Sequence, residues 1–178
     1  MQSLRGLCLA VLLLLPSQAK SDALETYGDI AQLAIPGIAL AGSLYKEDYE
    51  GVVQLGLTSV VTLGTTFALK YGVNRQRPNN GGGKSFPSGH TASAFMGASY
   101  LHYRYGWQYG FPAYAAATVV GISRVEAEKH HASDVIASVA IANVAAYIFT
   151  DTFDDKVTLL PFVDIGKKNF GITAKMGF

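Results

Sequence analysis

Cysteine and charge are both scarce in this chain. Its single cysteine, Cys8, lies near the N-terminus, so the rest of the chain has no thiol and no disulfide, which fits an oxidising compartment. Charged residues make up 15% of the sequence, whereas a typical soluble domain has roughly 25%. The net charge of +1 gives no electrostatic basis for a nucleic-acid partner.

Long uncharged runs are present, but they are short for membrane spans. The runs at 30–45, 52–69 and 135–150 contain 16 to 18 residues, and a spanning helix needs about 20. They are rich in glycine, alanine, serine and threonine, which suits close helix packing in lipid and also a tight soluble core. The composition therefore leaves two possibilities open, an embedded bundle and a soluble or peripheral one.

The N-terminus has the pattern of an export signal. Arg5 precedes the apolar run Leu7–Leu15, and Ser17-Gln18-Ala19 is a small-residue cleavage site. We predict a signal peptide at 1–19, with an uncleaved N-terminal anchor as the alternative. The protein is then exported, to the periplasm or to a cell-envelope membrane with its active site facing the periplasm. The 178 residues otherwise suggest one domain, which we place at 20–155, followed by a tail at 156–178.

The apolar segments predict an antiparallel, all-α helical bundle. Helices are expected at 30–45, 52–70, 88–103, 113–124 and 133–149. The pair Pro36-Gly37 is expected to break the first of these, and the aromatic stretch 105–111 to form a connector. In the tail, segments 157–163 and 170–178 are rich in β-forming residues and flank a turn-like segment, which predicts a short β-hairpin or two extended arms.

Three short polar motifs stand out against this apolar background. They are Lys70 to Pro78, Pro87-Ser88-Gly89-His90, and Ser123-Arg124 followed by His130 and Asp134. In an up-down bundle, consecutive helices are antiparallel, so each motif falls at a helix end on the same side of the bundle. If its helix continues to Pro78, Lys70 and Arg77 also share one face. The three motifs are therefore predicted to form one site.

The cations and the glycine of these motifs suit a phosphate group. Arginine side chains match phosphate oxygens with paired donors, and a lysine adds a compact charge. Free N–H groups where a helix begins after a glycine-rich loop form an anion site. The expected phosphate-binding residues are Lys70, Arg77, Ser88, Gly89 and Arg124.

The histidines suit phosphoryl transfer. His130 and Asp134 are four residues apart, so a helix would place the carboxylate beside one ring nitrogen and leave the other free to attack phosphorus. His90 would protonate the leaving oxygen and later deprotonate the attacking water. By spacing, His131 is a rival to His130 as the nucleophile. Two histidines with one carboxylate beside three cations make a poor hydrolytic metal site, so no metal is required.

Other polar residues have less specific interpretations. His102 is expected to pack in its aromatic surroundings. Surface exposure is the expectation for the remaining charged residues near the motifs: Arg75, Arg104, Glu126, Glu128 and Lys129. For Glu126 and Glu128, which flank the site, electrostatic tuning of His130 is the alternative.

Together the motifs resemble the type 2 phosphatidic acid phosphatase superfamily, which includes acid phosphatases, lipid phosphate phosphatases and vanadium haloperoxidases. Its pattern is Lys, six residues, Arg-Pro; then Pro-Ser-Gly-His; then Ser-Arg, five residues, His, three residues, Asp. Every element is present here, between about Val52 and Phe149. The eight residues that separate Pro78 from Pro87 are few for the family, which suggests an open site.

The resemblance implies an all-helical phosphatase with no cofactor and no essential metal, inhibited by vanadate as a phosphate analogue. It implies His130 rather than His131 as the nucleophile, His90 as the acid and base, and Asp134 as the residue that orients His130. The small chain argues against a haloperoxidase.

We expect a phosphatase that forms a phosphohistidine and acts on phosphate monoesters or pyrophosphates. Phosphorylated lipids are the leading substrate class because an apolar, exported chain meets them at a membrane surface or in a bilayer. Small phosphate esters, as substrates of a non-specific periplasmic acid phosphatase, are the alternative. A non-catalytic envelope protein that retains the fold is a further one.

Overall fold

A computed structural model describes residues 17–153, 157–164 and 169–176. In this part of the chain, five helices precede a two-stranded hairpin. The elements are α1 (Ser17–Tyr45), α2 (Tyr49–Val73), α3 (Gly89–Tyr105), α4 (Trp107–Glu126), α5 (Ala132–Phe149), β1 (Val157–Asp164) and β2 (Asn169–Met176). Most of the predicted segment 1–19 lies outside the described residues, and Ser17–Ala19 form the start of α1.

Helix α3 occupies the centre of the bundle and contacts the other four helices. Small residues make this possible, because Ala94 and Ala98 on α3, Ala117 on α4 and Ala142 on α5 are all fully buried. Without long side chains between them, the helix backbones can approach closely. The predicted all-α bundle is confirmed.

The predicted break at Pro36 is wrong, since α1 continues through this residue to Tyr45. The reason lies in its packing against α3. A side chain at Gly97 would come within 2.7 Å of the Pro36 backbone nitrogen, so the two helices touch backbone to backbone here. Proline costs a helix one hydrogen bond, and this close tertiary contact offsets that cost.

The predicted aromatic connector at 105–111 is also wrong. A single residue, Gly106, separates α3 from α4, and its φ of 87° lies in the region that glycine tolerates best. Trp107 starts α4 and packs against His102, with 4.0 Å between the ring centroids. The aromatic residues thus form the end of a helical hairpin, and His102 packs among them as expected.

Helix α2 ends before Arg77. Asn74 adopts a left-handed conformation, with φ 43° and ψ 42°, and ends the helix after Val73. Lys70 is therefore in the last turn of α2, whereas Arg77 is in the loop that leads to α3. The expectation that they share one helical face is wrong, because the left-handed residue turns the chain away from the helix axis.

A buried ion pair holds the opposite end of the bundle. The Arg104 guanidinium donates from Nε and Nη2 to the two carboxylate oxygens of Asp48, at 2.7 and 2.5 Å. Both residues are almost completely buried, at 3% and 2% exposure. Tyr105 also donates its hydroxyl hydrogen to Asp48, at 2.7 Å. The expectation that Arg104 is a surface charge is wrong.

Two helices, α2 and α5, are long and apolar enough to cross a membrane, and only 28% of each apolar window is buried in the protein. Large apolar side chains such as Val60 and Phe67 on α2 and Ile136 on α5 point outward. After α5, strands β1 and β2 pair antiparallel, from Val157 opposite Met176 to Asp164 opposite Asn169. This pairing is the predicted hairpin.

Candidate active site

One open cavity of about 500 Å³ lies where the ends of α2 and α4 meet the start of α3. Six of the residues predicted for the site line it: Lys70, Arg77, Gly89, His90, Arg124 and His130. Two further residues, Asp29 and Lys129, also line the cavity and were not predicted for the site. The structure therefore brings the three motifs together, as their order along the chain predicts.

His130 is in the loop between α4 and α5 and is 4% exposed. Its Nδ1 lies 2.7 Å from the backbone carbonyl oxygen of Ser85. A carbonyl oxygen only accepts, so Nδ1 carries the proton, and Nε2 retains its lone pair. Burial lowers the pKa of His130 to about 4, and the charges of Lys70 and Arg77 act in the same direction. The imidazole is thus neutral at neutral pH.

Asp134 does not hold His130 in the predicted way. Its Oδ2 is 3.7 Å from His130 Nδ1, which is within ion-pair range but too long for a hydrogen bond. The reason is that His130 precedes α5, which begins at Ala132, so the four-residue helical spacing does not apply. Instead the fully buried carboxylate accepts a hydrogen bond from the Ser85 hydroxyl, at 2.5 Å. Ser85 thus links the two residues, with its hydroxyl on Asp134 and its carbonyl oxygen on His130.

Arg75 is the cationic partner of Asp134. Its guanidinium donates to Asp134 Oδ1 at 2.8 Å and to the Ser133 hydroxyl at 2.7 Å. Its own carbonyl oxygen accepts a hydrogen bond from the Ser85 amide, at 2.8 Å. The Arg75 side chain is 38% exposed, as expected of a surface charge, but its guanidinium also neutralises a buried carboxylate, which was not predicted.

Ser88 and Gly89 differ in their surroundings. The Ser88 amide donates to the Asp134 carbonyl oxygen, at 3.3 Å, and its side chain caps α3 at the Thr91 amide. Ser88 is fully buried and contacts protein groups, which corrects the expectation that its amide binds phosphate. Gly89 starts α3 and lines the cavity. A Cβ added at Gly89 would lie 3.8 Å from Lys70 Cε.

Arg124 is held on three sides at the end of α4. It is 1% exposed, and its donors reach the Ser123 hydroxyl at 3.0 Å, the Asp29 carboxylate at 2.8 Å and the Glu25 carbonyl at 2.7 Å. These contacts use three of its five N–H groups, so two remain for a ligand in the cavity. Gly28 makes the contact with α1 possible, because any side chain there would collide with Ser123 and Arg124.

His90 faces the cavity from the second position of α3. Its Nε2 lies 3.0 Å from Asp29 Oδ1, the oxygen that also accepts from Arg124. Burial and the charge of Arg124 lower the pKa of His90, and Asp29 acts against them. Burial raises the pKa of Asp29, but the Arg124 and His90 contacts outweigh it, so this pKa is below its ordinary value.

The other cations of the cavity come from separate segments. Lys70 donates from Nζ to the Lys84 carbonyl oxygen, at 3.0 Å. Lys129 is a partly exposed charge, as expected, but it lines the cavity and pairs with the Glu25 carboxylate. The Arg77 guanidinium makes no hydrogen bond to any other residue that the structure describes. Four cations therefore surround a space large enough for a phosphate group with part of its parent molecule.

His131 is turned away from this space. Its ring Nε2 lies 3.1 Å from the Gln76 carbonyl oxygen, and its backbone N–H donates to Asp134. Unlike His130, it does not line the cavity. Among the residues that the structure describes, no group of three or more His, Cys, Asp or Glu side chains could hold a metal ion.

Comparison with known proteins gives consistent results. Residues 51–157 match the family model of the PAP2 superfamily. The chain is 31% identical over 177 residues to the lipid A 4'-phosphatase of Helicobacter pylori, covering 90% of this chain and 89% of that protein. It is 36% identical over 116 residues to the lipid A 1-phosphatase of Porphyromonas gingivalis, covering 63% of this chain and 26% of that protein.

A solved structure has the same fold. The crystal structure of Aquifex aeolicus LpxE superposes with a TM-score of 0.64 at 22% sequence identity, covering 72% of this chain and 83% of that chain.

Proposed function

Because the chain belongs to the PAP2 superfamily and is a lipid phosphate phosphatase of that type, we propose that it removes a phosphate from lipid A or a similar phosphorylated glycolipid. We further propose that the reaction proceeds through a phosphohistidine at His130, without a metal. The observation that carries this proposal is a neutral, buried His130 facing a cavity with four cations and a second histidine.

In the first half of the reaction, His130 Nε2 attacks phosphorus. The N–P bond forms as the bond from phosphorus to the leaving oxygen breaks, and His90 gives its proton to that oxygen. Lys70, Arg77 and Arg124 stabilise the charge on the other phosphate oxygens, which is greatest in the transition state. His130 keeps its Nδ1 proton throughout, because the Ser85 carbonyl oxygen accepts that hydrogen bond.

In the second half, water replaces the histidine. His90, now neutral, takes a proton from the water as its oxygen attacks phosphorus, and the N–P bond breaks. Inorganic phosphate leaves, His130 is again neutral, and His90 is again protonated. No step needs a group beyond these side chains and water. Vanadate, which accepts the same five-coordinate geometry as the transition state, is expected to inhibit.

The lipid part of the proposal is supported by the surface of the bundle. Helices α2 and α5 expose apolar side chains along most of their length, and we propose that they lie in a membrane of the cell envelope with the cavity on the periplasmic side. Carbonate extraction of membranes from expressing cells tests this placement. Recovery of the protein in the carbonate supernatant would contradict it.

An apolar groove of about 390 Å³ also runs along α1 and α4. It includes Ile35 and Ala116, which are six residues from Asp29 and eight from Arg124, or about 9 and 12 Å along their helices. Tyr27, two residues before Asp29 of the cavity, contacts the groove by donating its hydroxyl hydrogen to the Ala116 carbonyl oxygen, at 3.1 Å. We place an acyl chain of the substrate in this groove.

A substrate panel tests the function. Purified protein in detergent micelles is assayed with bisphosphorylated lipid A, phosphatidic acid and p-nitrophenyl phosphate, with and without vanadate. We expect turnover of lipid A by the wild type and by His131→Ala, and none by His130→Ala. A phosphorylated protein trapped by alkaline quench should likewise need His130.

Each alternative has its own outcome in this panel. Turnover of p-nitrophenyl phosphate with no preference for lipids would favour a non-specific acid phosphatase. No turnover of any phosphate by the wild type would favour a non-catalytic protein. Activity retained in His130→Ala and lost in His131→Ala would move the nucleophile by one residue.

A further inference from the structure

Asp29 is the acidic residue that lines the cavity, and it lies outside all three sequence motifs. It is on α1, whereas the match to the family begins at residue 51. One of its oxygens, Oδ1, contacts both Arg124 Nη1, at 2.8 Å, and His90 Nε2, at 3.0 Å. A single carboxylate thus joins the predicted proton donor to one of the phosphate-binding cations.

The position of Asp29 does not depend on its own carboxylate. One turn earlier, the Glu25 carbonyl oxygen accepts from Arg124, and the Glu25 carboxylate pairs with Lys129. Gly28 allows the helix to lie directly against Ser123. This part of α1 is therefore fixed by three other contacts, which means that a change of Asp29 to asparagine can leave the helix in place.

We propose that Asp29 is a positioning residue for the reaction, whose carboxylate fixes the ring of His90 and the guanidinium of Arg124 in one arrangement. This inference rests on the proposed function. With Nε2–H donated to Asp29, the imidazolium of His90 keeps Nδ1–H for the leaving oxygen, and Nδ1 has no other partner among the described residues. Asp29 also supplies negative charge beside His90, where the charges across the cavity are otherwise positive.

The charges around His90 come from several elements. Those that line the same cavity are Asp29 on α1, Lys70 on α2, Arg77 in the loop after α2, Arg124 on α4, and Lys129 and His130 in the loop after α4. Asp29 is the carboxylate in this set. Its replacement by asparagine therefore leaves cations as the charged residues that line the cavity with His90, and within the described residues only Lys129 among them is paired, with the Glu25 carboxylate one turn away on α1. The protonated form of His90 then becomes less stable.

The test compares Asp29→Asn with Asp29→Glu and with Asp22→Asn, which removes an exposed charge from the same helix away from the cavity. We expect kcat/KM of Asp29→Asn to fall about 10- to 100-fold for an alkyl phosphate, by analogy with carboxylates that orient metal-binding histidines. With p-nitrophenyl phosphate, whose leaving group needs little protonation, the fall should be several-fold smaller. The limb of the pH–rate profile that reports protonated His90 should move to lower pH.

The two control variants make the result specific. Asp29→Glu should recover part of the activity, and Asp22→Asn should match the wild type in both rate and pH profile. A purely structural role predicts equal losses for both leaving groups, with a lower melting temperature and an unshifted pH limb; that pattern would overturn the proposal. So would an Asp29→Asn variant with unchanged kcat and tighter vanadate binding, because Asp29 would then only compete with phosphate for Arg124.

Failure of this inference differs from failure of the proposed function. If the wild type hydrolyses lipid A in a His130-dependent manner and Asp29→Asn behaves like the wild type, only the role of Asp29 is wrong. If the wild type hydrolyses no phosphate, or does so without His130, the proposed function itself is wrong.

Discussion

His130 should remain uncharged in the folded protein until the pH falls to about 4. Burial is the main cause of this low pKa, and the charges of Lys70 and Arg77 add to it, whereas the Ser85 carbonyl and Asp134 partly oppose them. An ordinary histidine has a pKa near 6.5. The difference of about 2.5 corresponds to about 3.5 kcal/mol in full, since one pH unit is worth roughly 1.4 kcal/mol, and about 3 kcal/mol of it is realised by pH 4.

This difference makes the stability of the fold depend on pH in a defined window. As the pH falls below about 6.5, the unfolded chain binds a proton at His130 and the folded chain does not, so the free energy of unfolding decreases. The decrease continues until the pH reaches the folded pKa of about 4 and then stops. We expect His130 to account for a loss of about 3 kcal/mol between these limits.

The perturbation is His130→Gln, which keeps a polar side chain but cannot titrate. Denaturant unfolding in detergent micelles at pH 7, 5.5 and 4 gives the free energy of unfolding of both proteins. The difference between wild type and variant isolates His130, because the other titrating groups are present in both. It should change by about 3 kcal/mol in favour of the variant from pH 7 to pH 4.

An independent measurement follows the ring itself. Nuclear magnetic resonance of histidine-labelled protein should show His130 as the neutral Nδ1–H form at pH 5, with its signal identified by its loss in His130→Gln. Titration of this signal near pH 6.5, together with a stability difference that does not vary with pH, would refute the reasoning. His130 would then be mostly protonated below about pH 6.5, and the neutral nucleophile would not persist at acidic pH.

Three further predictions concern packing and specificity. Asp48→Asn leaves the buried Arg104 with only the more distant Glu50 carboxylate, 3.8 Å from Nη2, as its counter-charge. It should lower the free energy of unfolding by about 3–5 kcal/mol in chemical denaturation, whereas an unchanged value would mean that Glu50 or water compensates for the lost carboxylate. Gly97→Val should prevent the close approach of α3 to α1 and lower the melting temperature sharply, and a stable, active variant would show that the helices can separate at little cost. Ala116→Phe should fill the groove along α1 and α4 and reduce kcat/KM for lipid A at least several-fold without affecting p-nitrophenyl phosphate, while Ala115→Phe, outside the groove, should affect neither; equal rates with lipid A would place the acyl chain elsewhere.

Much of the site could be predicted from the sequence because its residues sit at helix ends. Antiparallel order alone places Lys70, His90 and Arg124 on the same side of the bundle. This prediction requires knowing which segments are helical, but it does not require knowing the residue at which each helix ends. Errors of several residues at the boundaries, such as the one at 105–111, therefore left the prediction of one common site unaffected.

The residues that the sequence did not reveal depend on contacts between distant segments. Asp29 and Arg124 are 95 positions apart, and Arg75 and Asp134 are 59 apart. Nothing local to Asp29 distinguishes it from a solvent-exposed carboxylate on a polar helix start. One signal was available for Arg75, since a buried carboxylate such as Asp134 needs a cation nearby, but the sequence alone gave no way to choose among the candidates.

The loop between α4 and α5 carries a length constraint that side-chain chemistry does not reveal. The Arg124 carbonyl oxygen accepts hydrogen bonds from the backbone amides of both Lys129 and His130, each at 3.1 Å. In the proposed reaction, Arg124 therefore binds phosphate with its side chain and fixes the position of the nucleophile, His130, with its carbonyl oxygen. A substitution at 125–129 leaves these two main-chain hydrogen bonds in place, whereas a single insertion or deletion there would move His130 away from the position that the proposed attack on phosphorus requires.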